Sequence, residues 1–71
     1  MNKMKKLRQA TENADECRNA IEMLRNLASS NDWSWQEECQ MLDTADMIQK
    51  KEERYRRLAS SIERDVFAIM T

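Results

Sequence analysis

The sequence predicts an all-α protein, an antiparallel two-helix hairpin with a long second helix that dimerises into a four-helix bundle. Three observations predict it. The good helix formers Ala, Leu, Met, Lys, Arg, Glu and Gln fill 42 of the 71 positions. Gly and Pro are absent, which removes the glycine helix stop and most tight turns. Apolar residues recur in alternating steps of three and four along two stretches, and a single polar cluster separates them. The expected organisation is one domain, residues 1–71, with a first helix over about 3–29, a turn at 30–33 and a second helix over about 34–70.

The first helix carries the stripe Leu7, Ala10, Ala14, Cys17, Ile21, Leu24 and Ala28, extended one turn earlier by Met4 and widened by Leu27. Three successive members, Ala10, Ala14 and Cys17, are small, so a partner helix can approach closely. Glu12, Asp15, Glu16, Arg18, Glu22 and Arg25 occupy its outer, solvated face.

Ser29-Ser30-Asn31-Asp32 is the one polar cluster without helix formers. Asn31 is the residue expected to take the left-handed conformation in place of glycine. Two caps compete for the next helix: Asp32, and Ser34 through the capping box Ser34-Trp35-Gln36-Glu37. Trp33 and Trp35 flank this corner. They are expected to plug the end of the bundle; the alternative is an exposed aromatic hot spot for a partner.

The second helix carries the heptad seam Met41, Ala45, Ile48, Glu52, Tyr55, Ala59, Ile62, Val66 and Ile69. Asp43-Thr44 and Ser60-Ser61 are candidate kinks, but no breaker interrupts the segment, so it is read as continuous. With a tight turn centred on Asn31-Asp32, Leu24 faces Cys39, Ile21 faces Leu42, Leu7 meets Tyr55 and Met4 reaches Ala59. Everything past Ile62 then lacks a first-helix partner. That overhang carries Ile62, Val66, Phe67, Ile69 and Met70, the expected dimer or partner interface.

Glu52 is the one charged member of its seam. An unpaired buried carboxylate is costly, so it is expected to be half-exposed or paired with a cation. In the tight-turn register it lies near Ala10 and Thr11, one turn from Lys6 and Arg8. No His exists in the chain, and no second carboxylate shares this face, so no general acid–base pair is visible. No catalytic, metal-binding or cofactor-binding residue is expected. Cys17 and Cys39 lack a zinc-ligand pattern and are about 10 Å apart along the axis in this register, so no disulfide is expected.

Twelve basic and thirteen acidic residues nearly cancel, so overall charge points to neither nucleic acid nor membrane. Nine of the basic residues, Lys3, Lys5, Lys6, Arg8, Lys50, Lys51, Arg54, Arg56 and Arg57, are expected to gather at one end of the hairpin. That end is a candidate contact for nucleic acid or an acidic partner. A helix-turn-helix over Leu24 to Ile48 is disfavoured, because the turn after Leu42 lacks Gly and Gln40 sits where a small residue should pack. No apolar run reaches the ~20 residues of a membrane span, and no apolar core follows the basic Met1–Lys6 stretch.

These features exclude no partner by name. They point to a non-enzymatic, cytoplasmic interaction protein that forms a homodimer and docks on another protein. The architecture is analogous, at the level of fold alone, to small plasmid and phage helix-hairpin dimers, which suits an accessory inhibitor of a host factor. The two rival readings are a nucleic-acid-binding regulator that uses the basic end and a small secretion-type chaperone that grips a partner helix.

Overall fold

The chain folds as two long helices, α1 (Lys3–Ala28) and α2 (Trp35–Met70), packed antiparallel in a rod of 54 × 18 × 13 Å. This computed structural model describes residues 2–30 and 32–70, with Met70 described in its backbone alone. Asn31 and the Met70 side chain, both singled out by the sequence, lie outside the described residues.

Local chemistry sets the helix ends. Asn2 caps α1 by accepting a hydrogen bond from the Met4 amide at 3.0 Å. At the far end two serines do the work of the missing glycine. The Ser29 hydroxyl donates to the Asn26 carbonyl at 2.8 Å, and that of Ser30 to the Leu27 carbonyl at 2.9 Å. Of the two competing caps for α2, Ser34 is the one used. Its Oγ accepts from the Glu37 amide at 3.2 Å while the Glu37 carboxylate accepts from the Ser34 amide at 3.3 Å, a reciprocal capping box. α2 runs unbroken through both candidate kinks. At the first of them the Thr44 hydroxyl donates to the Gln40 carbonyl at 2.9 Å, staying within the helix.

The seam between the helices is narrow. Of the seven buried hydrophobic residues described, five are alanines, Ala10, Ala14, Ala28, Ala45 and Ala59. Only Ile21 and Ile62 are larger. Small side chains let the helix backbones close up, and the larger residues Leu24, Ile48, Tyr55 and Val66 are displaced to the edges, where they are half-buried.

The register differs from the tight-turn expectation by about two helical turns. Glu52 sits against Arg18 rather than near Ala10 and Thr11, Arg56 against Asp15, and Lys3 against Asp65. Seven residues separate the expected and observed partners of Glu52. That is one heptad, or ~10 Å. A heptad slip leaves each apolar stripe facing its partner, so periodicity alone cannot choose between the two registers. The choice falls to the Arg18–Glu52 pairing and to the length of the connection, since six residues, 29–34, can span up to ~20 Å.

The overhang therefore moves. The pairs Arg18–Glu52 and Asp15–Arg56 set the end of α1 about level with Leu42, and roughly seven residues at the start of α2 extend past it. The C-terminal tip is correspondingly shorter than expected. Ile62 is buried in the hairpin and Val66 is half-buried, which corrects the expectation that both stand beyond α1. Phe67 and Ile69 are 67% and 73% exposed.

Candidate functional site

The middle of the rod holds a buried charge. Glu52 is 3% exposed. Its Oε1 accepts from Arg18 Nη2 at 2.7 Å and its Oε2 from Arg18 Nε at 3.1 Å, a two-pronged guanidinium–carboxylate pair between the helices. Arg56, one turn along α2, adds a 3.1 Å bond from Nε to Oε2 and reaches Asp15 of α1 at 3.4 Å. Lys6 and Arg8, the partners expected in the tight-turn register, are not the ones used.

Burial alone would raise the Glu52 carboxyl, but the hydrogen bonds and charges of Arg18 and Arg56 outweigh it and hold the group below its usual range. Arg56 is in turn held more firmly protonated, chiefly by its bond to Glu52. A carboxylate this well satisfied is a poor proton donor or acceptor near neutral pH. Its chemistry is that of a clamp, which fixes which turns of the helices meet.

The two flanks of the hairpin differ. One is charged, lined by Arg18, Gln49, Glu52, Glu53, Arg56 and Arg57. The other is a shallow, mostly apolar groove. Cys17 and Ala20 of α1 line it opposite Ile48 and Tyr55 of α2, Glu16 and Lys51 stand across from each other along it, and it continues past Lys6, Leu58 and Ile62. By helical spacing Leu24 and Leu27 extend this flank on α1 and Met47 on α2. Leu58, Leu27 and Met47 are 51%, 47% and 69% exposed.

A third feature is the start of α2, beyond the cover of α1. Trp35 is 79% exposed there, so it does not plug the end of the hairpin. Nothing of α1 reaches far enough to receive it. Trp33 is 36% exposed and Leu42 43%. Trp35 and Leu42 are seven residues apart and lie on the side of α2 that carries Gln49 and Arg56, the charged flank.

The basic residues do not form one cluster. The shifted register puts Lys3 beside Asp65 and Lys6 beside Leu58 and Ile62. Lys51 instead lies level with Cys17 and Ala20, and Arg56 is engaged with Glu52 and Asp15. Lys5, Arg8, Lys50, Arg54 and Arg57 are exposed along the same half of the rod. A long-range charge separation results. Residues 19–49, the loop half, hold six acidic side chains against Arg25 alone, a net charge of −5. The remaining residues hold eleven basic and seven acidic side chains, a net charge of +4.

Cys17 and Cys39 are both free thiols, each half-buried. No helix of the described residues is long and apolar enough to cross a membrane. No protein-family model, curated protein or solved structure matches the chain.

Sequence reasoning missed Arg18 as the partner of Glu52 and missed the groove as a surface. The signal for the first was present: a seam carboxylate needs cations, and Arg18 follows directly on the seam residue Cys17.

Proposed function

We propose that this chain is a small non-enzymatic interaction protein that acts by docking on another macromolecule, with the start of α2 as its docking edge. One observation carries the reading: Trp35 stands 79% exposed on a long helix beyond the end of α1, on the same side as Leu42, which is 43% exposed. Exposed tryptophan on a preorganised element is the side chain most enriched at binding hot spots. By helical spacing Glu38 and Asp46 share that side of α2, so the complementary surface is an apolar groove with a basic rim. A protein of this kind works by occupying its target, as a cytoplasmic accessory inhibitor of a host factor would.

The test is affinity capture from host extract with three versions of the chain. The double variant Trp35→Ser, Leu42→Ser is expected to keep its helicity and lose the captured target. Met23→Ser, which alters an exposed residue of α1, is expected to retain it. Capture that survives loss of Trp35 and Leu42 would overturn the reading.

Nucleic-acid binding is a second reading, favoured by the net charge of +4 on the terminal half. It requires retention of the chain on duplex or single-stranded nucleic acid that weakens with salt and is abolished by charge reversal at Arg54 and Arg57.

A further inference from the structure

We infer that the apolar flank is the seat of a second copy of this chain, laid antiparallel so that the acidic loop half of each copy lies on the basic terminal half of the other.

Three observations support this occupant. The first is the alanine seam. Two helices that bury five alanines and two isoleucines leave their larger apolar side chains on the rim, and Ile48, Tyr55, Leu58 and Leu24 share one flank. Two such flanks placed face to face would put those side chains at the centre of a four-helix bundle.

The second is area. The chain exposes 5799 Å², whereas a compact monomer of its 8.5 kDa mass exposes about 4,700 Å². The surplus of about 1,100 Å² is enough for the ~800 Å² that each partner contributes to a stable interface.

The third is charge. A two-fold axis perpendicular to the rod, passing near Cys17, Ala20 and Tyr55, brings opposite ends together. The −5 half of one copy then meets the +4 half of the other, twice. The parallel alternative would set like charges side by side over the same length.

The same geometry leaves the docking edge uncovered, because Trp35 and Leu42 lie on the opposite flank. Self-association and target capture are thus separable. Leu58→Glu alters the groove and spares Trp35, while Trp35→Ser does the reverse.

Sedimentation equilibrium of the full chain tests the inference. The expected species has twice the 8.5 kDa chain mass, and its dissociation constant rises several-fold between low salt and about 0.5 M NaCl. Leu58→Glu, at a position 51% exposed in the single hairpin, is expected to leave far-UV circular dichroism unchanged and weaken association about tenfold or more. Lys5→Glu with Lys6→Glu should weaken self-association, as should Asp43→Lys with Asp46→Lys, and an equimolar mixture of the two variants should restore it. A monomer at about 100 μM, a dimer indifferent to Leu58→Glu, or association that strengthens with salt would overturn it.

Discussion

Replacing Glu52 by Gln removes the charge of the clamp while keeping its volume. In the native chain the carboxylate accepts two bonds from Arg18 and contacts Arg56 through Nε and Nη2. A bond to a charged group contributes about 1.5–3 kcal/mol when sheltered. The two arginine side chains are 39% and 49% exposed, so water screens them and can resolvate them once released. The expected net loss is therefore about 1–3 kcal/mol rather than the larger cost of breaking a fully buried pair. For a chain of this length each kcal/mol moves the thermal midpoint by about 4–8 °C, which puts the fall near 10 °C. The pH dependence adds an independent check. The folded carboxyl lies below its usual value of 4.5. The stabilisation is thus complete above the unfolded value and is lost as pH falls through the folded one. Urea unfolding at one fixed protein concentration should show a constant gap between native chain and variant from neutral pH to about pH 5, shrinking in stronger acid. A gap under about 0.5 kcal/mol at neutral pH, or one that persists unchanged in acid, would refute the clamp. A double-mutant cycle reads the register directly: Glu52 should couple to Arg18 and not to Arg8.

Ser34→Ala removes one half of the reciprocal capping box and should cost about 1 kcal/mol, visible as fraying of the first turns of α2 in amide hydrogen exchange. Ile21 is the one large side chain described with essentially no exposure. Ile21→Ala should cost about 2–4 kcal/mol, which in so thin a core leaves a chain that is largely unfolded at 37 °C by circular dichroism.

Both helices, the continuity of α2 and the capping box were legible in the sequence, because each rests on residues within one or two turns of each other. Ser34 and Glu37 need only their own spacing to find one another, and α2 needs only the absence of a breaker. The register was not legible. The stripes through Ala10, Ala14 and Ile21 and through Ala45, Glu52 and Ala59 match equally well one heptad apart. What separates the two alignments is a long-range pairing, Arg18 with Glu52, and the reach of the Ser29–Ser34 connection. Neither has a local signature. The expectation for Trp35 failed for the same reason, since a plug needs two helix ends at one level and α2 starts beyond the end of α1. The groove on the apolar flank was hidden because it joins Cys17 and Ala20 to Tyr55 and Leu58, residues that share a surface only once the register is known.

The alanine seam is the feature from which the apolar flank follows, and it can be tested by itself. Ala14 is fully buried and lies beside Ala59 across the seam. Ala14 has no exposure, so the first atoms of a leucine there meet the facing helix, and Ala14→Leu must push the helices apart or bend its own rotamer, at a cost of about 1–3 kcal/mol. Ala20, on the rim of the groove, has open space in front of it. At a dilution where the chain is monomeric, Ala20→Leu should leave the unfolding free energy of the hairpin within about 0.5 kcal/mol of the native chain. The contrast matters more than either value. If the helices approach closely because their seam is small, extra methylenes are harmful in the seam and tolerated on the rim. If Ala14→Leu instead stabilises the chain in urea unfolding, the helices are loosely packed. The large apolar side chains would then have been able to enter the seam, and their presence on the rim would need another cause.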